Sequence, residues 1–145
     1  MDIRLRRASF ALCLAGVGIA GYLTYVHYAG LRPLCGISHG CETVQTSRYA
    51  SLVGIPVALL GLISYVVILI TLRMRDERAL LTGHGLTFIA FGFSAYLTYR
   101  EVFTIHAICS WCVSSAVVFS LLAVTGTIRV VRVGGGPVAA AAEAA

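Results

Sequence analysis

Charged side chains are so sparse that four long stretches of the chain carry none: residues 8–31, 49–72, 79–99 and 102–128, which hold 24, 24, 21 and 27 residues. A helix needs about 20 apolar residues to cross a bilayer, so each stretch is long enough for one crossing. Composition closes off the soluble alternatives. Of 145 residues, 59% are hydrophobic and 12% charged, about half the ~25% charge usual in soluble domains. A soluble domain of this size still leaves roughly a third of its chain surface in water, and this chain lacks the polar side chains to cover it. An ordinary soluble enzyme, a coiled coil and a disordered chain are excluded. The expected fold is an all-α membrane protein, a four-transmembrane-helix bundle with helices near 9–28, 53–72, 80–99 and 109–128.

All eleven basic residues other than histidine are arginine, and they divide unevenly between the two sets of flanks. Arg4, Arg6, Arg7, Arg73, Arg75, Arg78, Arg129 and Arg132 fall on one side; Arg32, Arg48 and Arg100 fall on the other. Loops rich in arginine stay in the cytoplasm. Both termini and the 73–78 turn are therefore expected inside, and the 29–52 loop and the 100–108 connection outside. The net charge of +5 belongs to these flanks, and no nucleic-acid partner is expected. Residues 1–133 read as one catalytic domain. Residues 134–145, with three Gly, Pro137 and an alanine-rich end, read as a flexible cytoplasmic tail. The polar 42–51 stretch has the makings of a short helix at the membrane surface.

An N-terminal basic patch followed by an apolar run also describes a signal peptide. Here the run is longer than a signal core, and no small-residue cleavage site closes it. An internal repeat argues that the span is kept. Tyr22-Leu23-Thr24-Tyr25 recurs as Tyr96-Leu97-Thr98-Tyr99, each copy has a Cys thirteen residues after its first Tyr, and Gly18 and Gly92 share the offset of 74. Two helical hairpins in parallel orientation satisfy this pattern, with tyrosines at the outer interface, where amphipathic rings settle. Pro56 is expected in the first turn of the second helix, where a missing N–H costs little.

The chemistry lies in the cysteines. Cys35 and Cys41 fall in the long outer loop, Cys109 and Cys112 open the fourth helix, and Cys13 sits alone in the first helix as a small buried hydrophobe. Disulfides persist in the oxidising compartment outside the cytoplasm. Cys109-Ser110-Trp111-Cys112 places a C-x-x-C at a helix N-terminus, where the backbone N–H groups favour the reactive thiolate. The other pair rides on a loop containing Gly36, Ser38 and Gly40, and His39 between them is able, when charged, to lower a neighbouring thiol pKa. One mobile and one anchored pair make an electron relay. The competing class is a non-catalytic membrane protein with two structural disulfides. A four-thiolate metal site is a weaker reading in an oxidising compartment. Val113 stands where a c-type haem motif needs His.

Taken together, Cys35-x5-Cys41, Ser47 six residues later, Gly54-Ile55-Pro56 and Cys109-x-Trp111-Cys112 resemble the bacterial branch of the vitamin K epoxide reductase family over residues 9–128. The resemblance implies a four-helix bundle holding a quinone near the outer membrane surface. It implies a thiol oxidase that regenerates a thioredoxin-like partner, a functional analogue of disulfide bond formation protein B, whose cysteine pairs come in the reverse order. It also implies roles: Cys41 takes electrons from the partner, Cys35 passes them to Cys109, Cys112 faces the quinone, and Ser47 lies near the headgroup or the reactive sulfurs. Only the 134–145 segment follows the bundle, so the thioredoxin-like extracytoplasmic partner is expected to be a separate protein. Ala116 stands four residues beyond Cys112, where vertebrate relatives have a tyrosine that contacts the vitamin; this disfavours epoxide reduction and leaves quinone reduction.

A lipid-soluble acceptor also follows from the residues. Electrons reaching Cys112 need an outlet, the cytoplasmic side has no cysteine pair, and pockets between bundle helices hold apolar ligands. Ubiquinone or menaquinone from the membrane pool fits equally, with Phe88, Phe91, Phe93 and Phe103 as candidate lining. The expected location is the inner (plasma) membrane, multi-pass, with the active site toward the periplasm or cell exterior. Membrane-impermeant thiol reagents should then label Cys35, Cys41, Cys109 or Cys112 in reduced intact cells and miss Cys13; labelling confined to inverted vesicles would overturn this orientation.

Overall fold

The computed structural model describes residues 2–35 and 40–144, with side chains for 3–35 and 40–133. The chain runs through α1 (Asp2–Ala29), the short α2 (Cys41–Gln45), a single 3-10 turn (Arg48–Ala50), a minimal hairpin of β1 (Ser51–Leu52) and β2 (Ile55–Pro56), α3 (Val57–Arg73), α4 (Glu77–Arg100), a wide π turn (Glu101–Ile105) and α5 (Ser110–Ala144). The fold is all-α in its body. Three segments are long and apolar enough to cross a membrane, Ile3–Ala29, Glu77–Ile105 and Ser110–Val133; the apolar α3 is shorter. The long helices close into a ring in which α1 and α4 each pack against both α3 and α5.

Several boundaries move from those expected. Helix α1 begins at Asp2 instead of residue 9, taking in Arg4, Arg6 and Arg7. The second long helix starts at Val57 instead of Val53, and Pro56 is its N-cap, at φ −59° and ψ 132°, instead of a first-turn residue. Residues 51–56 form the hairpin, paired Ser51 to Pro56 and Leu52 to Ile55. The reason is local. Proline drives the preceding residue into extended backbone, and Val53 and Gly54 take the tight turn at φ 54° and 81°, the double positive φ that two-residue hairpins require. The 42–51 stretch divides between α2 and the 3-10 turn. Helix α5 continues to Ala144, through the segment read from sequence as a flexible tail; the alanine-rich end is strongly helix-forming.

The bundle core is built around Tyr65 of α3, which is fully buried with Cys13, Ile68, Val118, Phe119 and Leu122. Its ring stacks on Phe119 with centroids 4.2 Å apart and planes 6° from parallel. Its hydroxyl donates to the Ser115 carbonyl at 3.1 Å and lies 2.8 Å from Ser115 Oγ. A buried hydroxyl without such partners is costly in an apolar surround. The ring passes over Gly16 of α1 so closely that any Cβ there would overlap it. At the opposite end from the C-x-x-C, Arg6 Nε donates to the Leu72 carbonyl at 2.8 Å, closing the last turn of α3, and Ser9 Oγ donates to Thr125 Oγ1 at 3.0 Å across α1 and α5.

In detergent, Tyr65→Phe keeps the stack and loses both hydroxyl contacts with Ser115, so it should destabilise by only about 1.2 kcal/mol, at about 0.6 kcal/mol for each interhelical hydrogen bond in membranes. Gly16→Val drives a branched side chain into the ring and should lower the melting temperature further. The reverse order in thermal melts would show that the hydroxyl, and not the ring's fit over Gly16, holds these helices.

Candidate active site

Four cysteines meet at one end of the bundle because two connections bend back over the helix ends. Helix α4 leaves its regular path at the Glu101–Ile105 π turn, and His106 reverses the chain in the left-handed region at φ 55°. The Ala107 N–H donates to the Glu101 carbonyl at 3.1 Å. This delivers Cys109 to the start of α5 as its cap residue. Cys109 Sγ accepts the backbone N–H of Cys112 at 3.4 Å, the place a serine oxygen takes in an ordinary N-cap. Cys109 is therefore both the cap and the sulfur most exposed to the positive end of the helix.

The segment at the start of α2 folds onto the same point. Gly40 starts α2 and lies directly against the Ile108 backbone, where an added Cβ would stand 2.6 Å from its carbonyl oxygen and 2.7 Å from its nitrogen. Only glycine permits that approach. Cys41, 1% exposed, and Cys109, 0% exposed, lie in one small cluster with Val44, and Cys35, Trp111 and Cys112 pack against it. Cys35 and Cys41 are joined as a disulfide, with Cα atoms 6.2 Å apart; Cys109 and Cys112 are free thiols. The Leu34 backbone beside Cys35 is held from both sides: its N–H donates to the Tyr22 hydroxyl at 3.0 Å and its carbonyl accepts the Trp111 indole N–H at 2.8 Å. The Tyr22 and Trp111 rings are 4.9 Å apart. His39 lies outside the described residues.

Polar groups not singled out in the sequence complete the site. The Gln45 side-chain amide donates toward both thiols, at 3.5 Å to Cys112 Sγ and 3.9 Å to Cys109 Sγ. Glu101, buried at 2% exposure, accepts the Cys109 backbone N–H on Oε2 at 3.2 Å. The Cys112 thiol donating to the Cys109 sulfur is the main reason that the Cys109 thiol is pulled down from 9.0 to about 7; the Cys112 N–H and Gln45 act in the same direction, against burial and the Glu101 charge. The two sulfurs are thus unequal, and Cys109 is the more acidic thiol. Gln45 carried a signal in sequence only as part of a polar stretch near Cys41. Glu101 carried a stronger one, a carboxylate next to Arg100 between two long uncharged runs, eight residues before Cys109.

Beneath the thiols lies a cavity of about 260 Å³ lined by all four long helices, among them Leu23, Gly61, Phe93, Leu97 and Phe119, with Glu101 and Cys112 at its edge. A smaller one of about 40 Å³ also touches Glu101 and Cys112 and is lined by Gln45, Ser47 and Tyr49. Ser47 is thus beside the reactive end of the bundle, its Oγ donating to the Val44 carbonyl at 2.7 Å. Of the four phenylalanines considered, Phe93 lines the larger cavity. Phe88 lies edge-on to His84, Phe91 packs on the core, and Phe103 pairs with Tyr99. Cys13 is buried in the bundle core, as expected of a small hydrophobe. A cavity of about 420 Å³ at the other end of the bundle, between Arg6, Glu77 and His84, has no cysteine in its wall.

The model of the vitamin K epoxide reductase family matches residues 7–127 of this chain. The chain belongs to the vitamin K epoxide reductase family. The match takes in both cysteine pairs, Ser47 and Glu101, and with them the whole of the site just described. A family member is an oxidoreductase, and paired cysteines of unequal acidity suit thiol–disulfide chemistry. The apolar helices mark this member as a membrane protein.

The lowered Cys109 value sets a pH dependence. Below pH 7 the Cys109 thiol is protonated and a poor nucleophile; above it the thiolate forms. In protein with the Cys35–Cys41 bond intact, thiolate absorbance in the ultraviolet that disappears in Cys109→Ser should rise with a midpoint near 7. Cys112→Ala or Gln45→Leu removes a hydrogen-bond donor and should move the midpoint upward. A midpoint unchanged near 9.0 in wild type would refute the reading of Cys109 as the acidic thiol of the pair.

Proposed function

We propose that this protein is a membrane-bound thiol oxidase. It accepts electrons from a thioredoxin-like extracytoplasmic protein through the Cys35–Cys41 pair, relays them to Cys109 and Cys112, and reduces a quinone, so that disulfides form outside the cytoplasm. The observation that carries this reading is the packing of both cysteine pairs in one buried cluster, one oxidised and one reduced. Exchange between the pairs needs a thiolate beside a disulfide, and Cys109 supplies the more acidic thiol. Two purely structural disulfides would have no use for a thiol pair of unequal acidity with Cys112 bordering a cavity.

Burial favours an order of transfer opposite to the one that the family resemblance implies. Cys41 is the buried sulfur in the Cys109 cluster, while Cys35 packs at its margin. In the order favoured here, Cys35 meets the partner and Cys41 meets Cys109. Cys112 faces the quinone. The 260 Å³ cavity is near the lower end of small-molecule pockets, roughly 300 Å³, which suits a ring headgroup, ubiquinone or menaquinone, whose tail leaves between the helices. Ser47 lies close enough to contribute a polar contact there. When bound, the quinone supplies an acceptor for two electrons.

The topology belongs to the same proposal. Helix α3 spans about 25 Å at 1.5 Å per residue, and the extended residues before it lengthen the crossing toward the ~30 Å hydrocarbon core. The packing of α3 between α1 and α4 supports a reading of four crossings, and the arginine asymmetry favours both termini in the cytoplasm and the cysteines at the outer face of the plasma membrane.

A trapping experiment tests the relay. With an oxidised thioredoxin-like protein, the free Cys35 thiolate of Cys41→Ala should open the partner's disulfide and accumulate a partner adduct, one partner sulfur leaving as a thiolate, because the Cys41 thiol that would resolve the adduct is gone. Cys35→Ala should accumulate a Cys41–Cys109 bond. Non-reducing gels and peptide mapping distinguish these. The mirror-image pattern would restore the order implied by the family, and fixed disulfides with nothing trapped would leave two structural staples.

A further inference from the structure

Glu101 is the one acidic side chain placed in the body of the site, and the relay just proposed gives it no task. Its carboxyl is buried, its Oε2 accepts the Cys109 N–H at 3.2 Å, and the Cys112 thiol lies within hydrogen-bonding reach of it. It also borders both the 260 Å³ and the 40 Å³ cavities. The neighbouring Arg100 does not neutralise it: that guanidinium donates to the Tyr96 hydroxyl at 3.1 Å and Thr104 Oγ1 at 3.4 Å, and lies 5.2 Å from the Tyr49 ring centre. The other groups facing the carboxyl are the two thiols of α5 and, from the outer loop, Gln45, Ser47 and Tyr49. A carboxylate in this position touches the sulfur that gives up electrons and the space where they are received.

We infer that Glu101 is the catalytic proton carrier of this site, taking the proton of the Cys112 thiol and handing it to the quinone. The inference rests on the thiol–quinone reading above. The reduced site holds the Cys109 thiolate and the Cys112 thiol. As Cys112 gives up its proton to the Glu101 carboxylate, the Cys109 thiolate bonds to Cys112 Sγ, closing the disulfide. The electron pair released by the two sulfurs passes to the quinone. The quinone takes two protons, one from the Glu101 carboxyl and one from solvent, and leaves as the hydroquinone, with Glu101 again a carboxylate. Thiolate, thiol, quinone and one solvent proton thus become disulfide and hydroquinone, balanced in atoms and charge.

A purely structural role, capping α5 through the Cys109 N–H, is separable from proton transfer. Glu101→Gln keeps an oxygen for that hydrogen bond and removes the acid. Full-length protein in detergent, reduced and mixed with decylubiquinone, should form the Cys109–Cys112 disulfide in a single turnover at least about 100-fold more slowly in Glu101→Gln than in wild type, the usual worth of a positioned acid–base group. Added formate should restore part of the rate. Without any quinone, loss of the carboxylate charge should move the Cys109 thiolate midpoint below its wild-type value, and exchange of the outer pair with a thioredoxin-like protein should be unchanged. Equal single-turnover rates in wild type and Glu101→Gln would overturn the proton-carrier role and leave the relay standing. A wild type that reduces no quinone would overturn both. Should Glu101→Gln fail to fold, Glu101→Asp and Glu101→Asn share a length and differ in the acid: Asp should be at least about tenfold faster, and equal rates would overturn the proposal.

Discussion

The ring of helices is organised by the Tyr65 side chain, which no single helix accommodates alone. It needs the missing side chain of Gly16 on α1 for space, Phe119 for a face to stack on and Ser115 for a hydroxyl partner on α5. Between apolar helices in lipid, burial gives little discrimination among packings, because the tails are as apolar as leucine; fit and hydrogen bonds decide. Tyr65 supplies both, and so fixes how α1, α3 and α5 sit around a common axis. The 260 Å³ cavity lies beside this wedge, with Ser115 and Phe119 in its wall. The same residues that hold the bundle thus shape the space under the thiols.

Above that frame the outer segments are held by directional contacts. The Gly40 backbone lies against Ile108, the Leu34 peptide is held between Tyr22 and Trp111, and Glu101 ties the end of α4 to the start of α5. Each contact involves a residue within one position of a cysteine or bonds directly to one. Loop placement and sulfur chemistry are therefore linked: moving the Gly40 contact moves Cys41, and losing the Trp111 hydrogen bond frees Cys35. Such an arrangement packs the two cysteine pairs into one cluster, with Cys41 at the start of α2 and Cys35 on irregular backbone after α1.

Much of the fold is legible in the primary structure because a membrane imposes a coarse rule. Charge is excluded from the apolar interior, so the helices expected within the charge-free runs fall within four residues of those observed at six of eight ends. The misplaced ends have local causes. Arg4, Arg6 and Arg7 interrupt hydropathy without interrupting helix, since arginine is a good helix former and Arg6 finds acceptors on α3. The start of α3 is delayed because Val53 and Gly54 turn the chain before Pro56 allows a helix, and positive φ at a valine is not written in its propensity. The continuation of α5 through Pro137 likewise goes against the usual helix-breaking preference of proline.

For the site, sequence alone singled out the candidate residues: four cysteines in two spaced pairs, one of them opening a helix, with Ser47 between them, because spacing and a helix N-terminus are local properties. Only the tertiary structure decided how they are arranged. It buried Cys41 and left Cys35 at the margin, brought Gln45 and Glu101 to the sulfurs, and chose Phe93 and Phe119 over the other aromatics as cavity wall. Those outcomes depend on a π turn, a left-handed His106 and a glycine pressed against a distant backbone. Contacts between residues more than sixty positions apart, such as Gln45 with Cys109 and Cys112, leave no periodic or spacing signal in the chain that makes them.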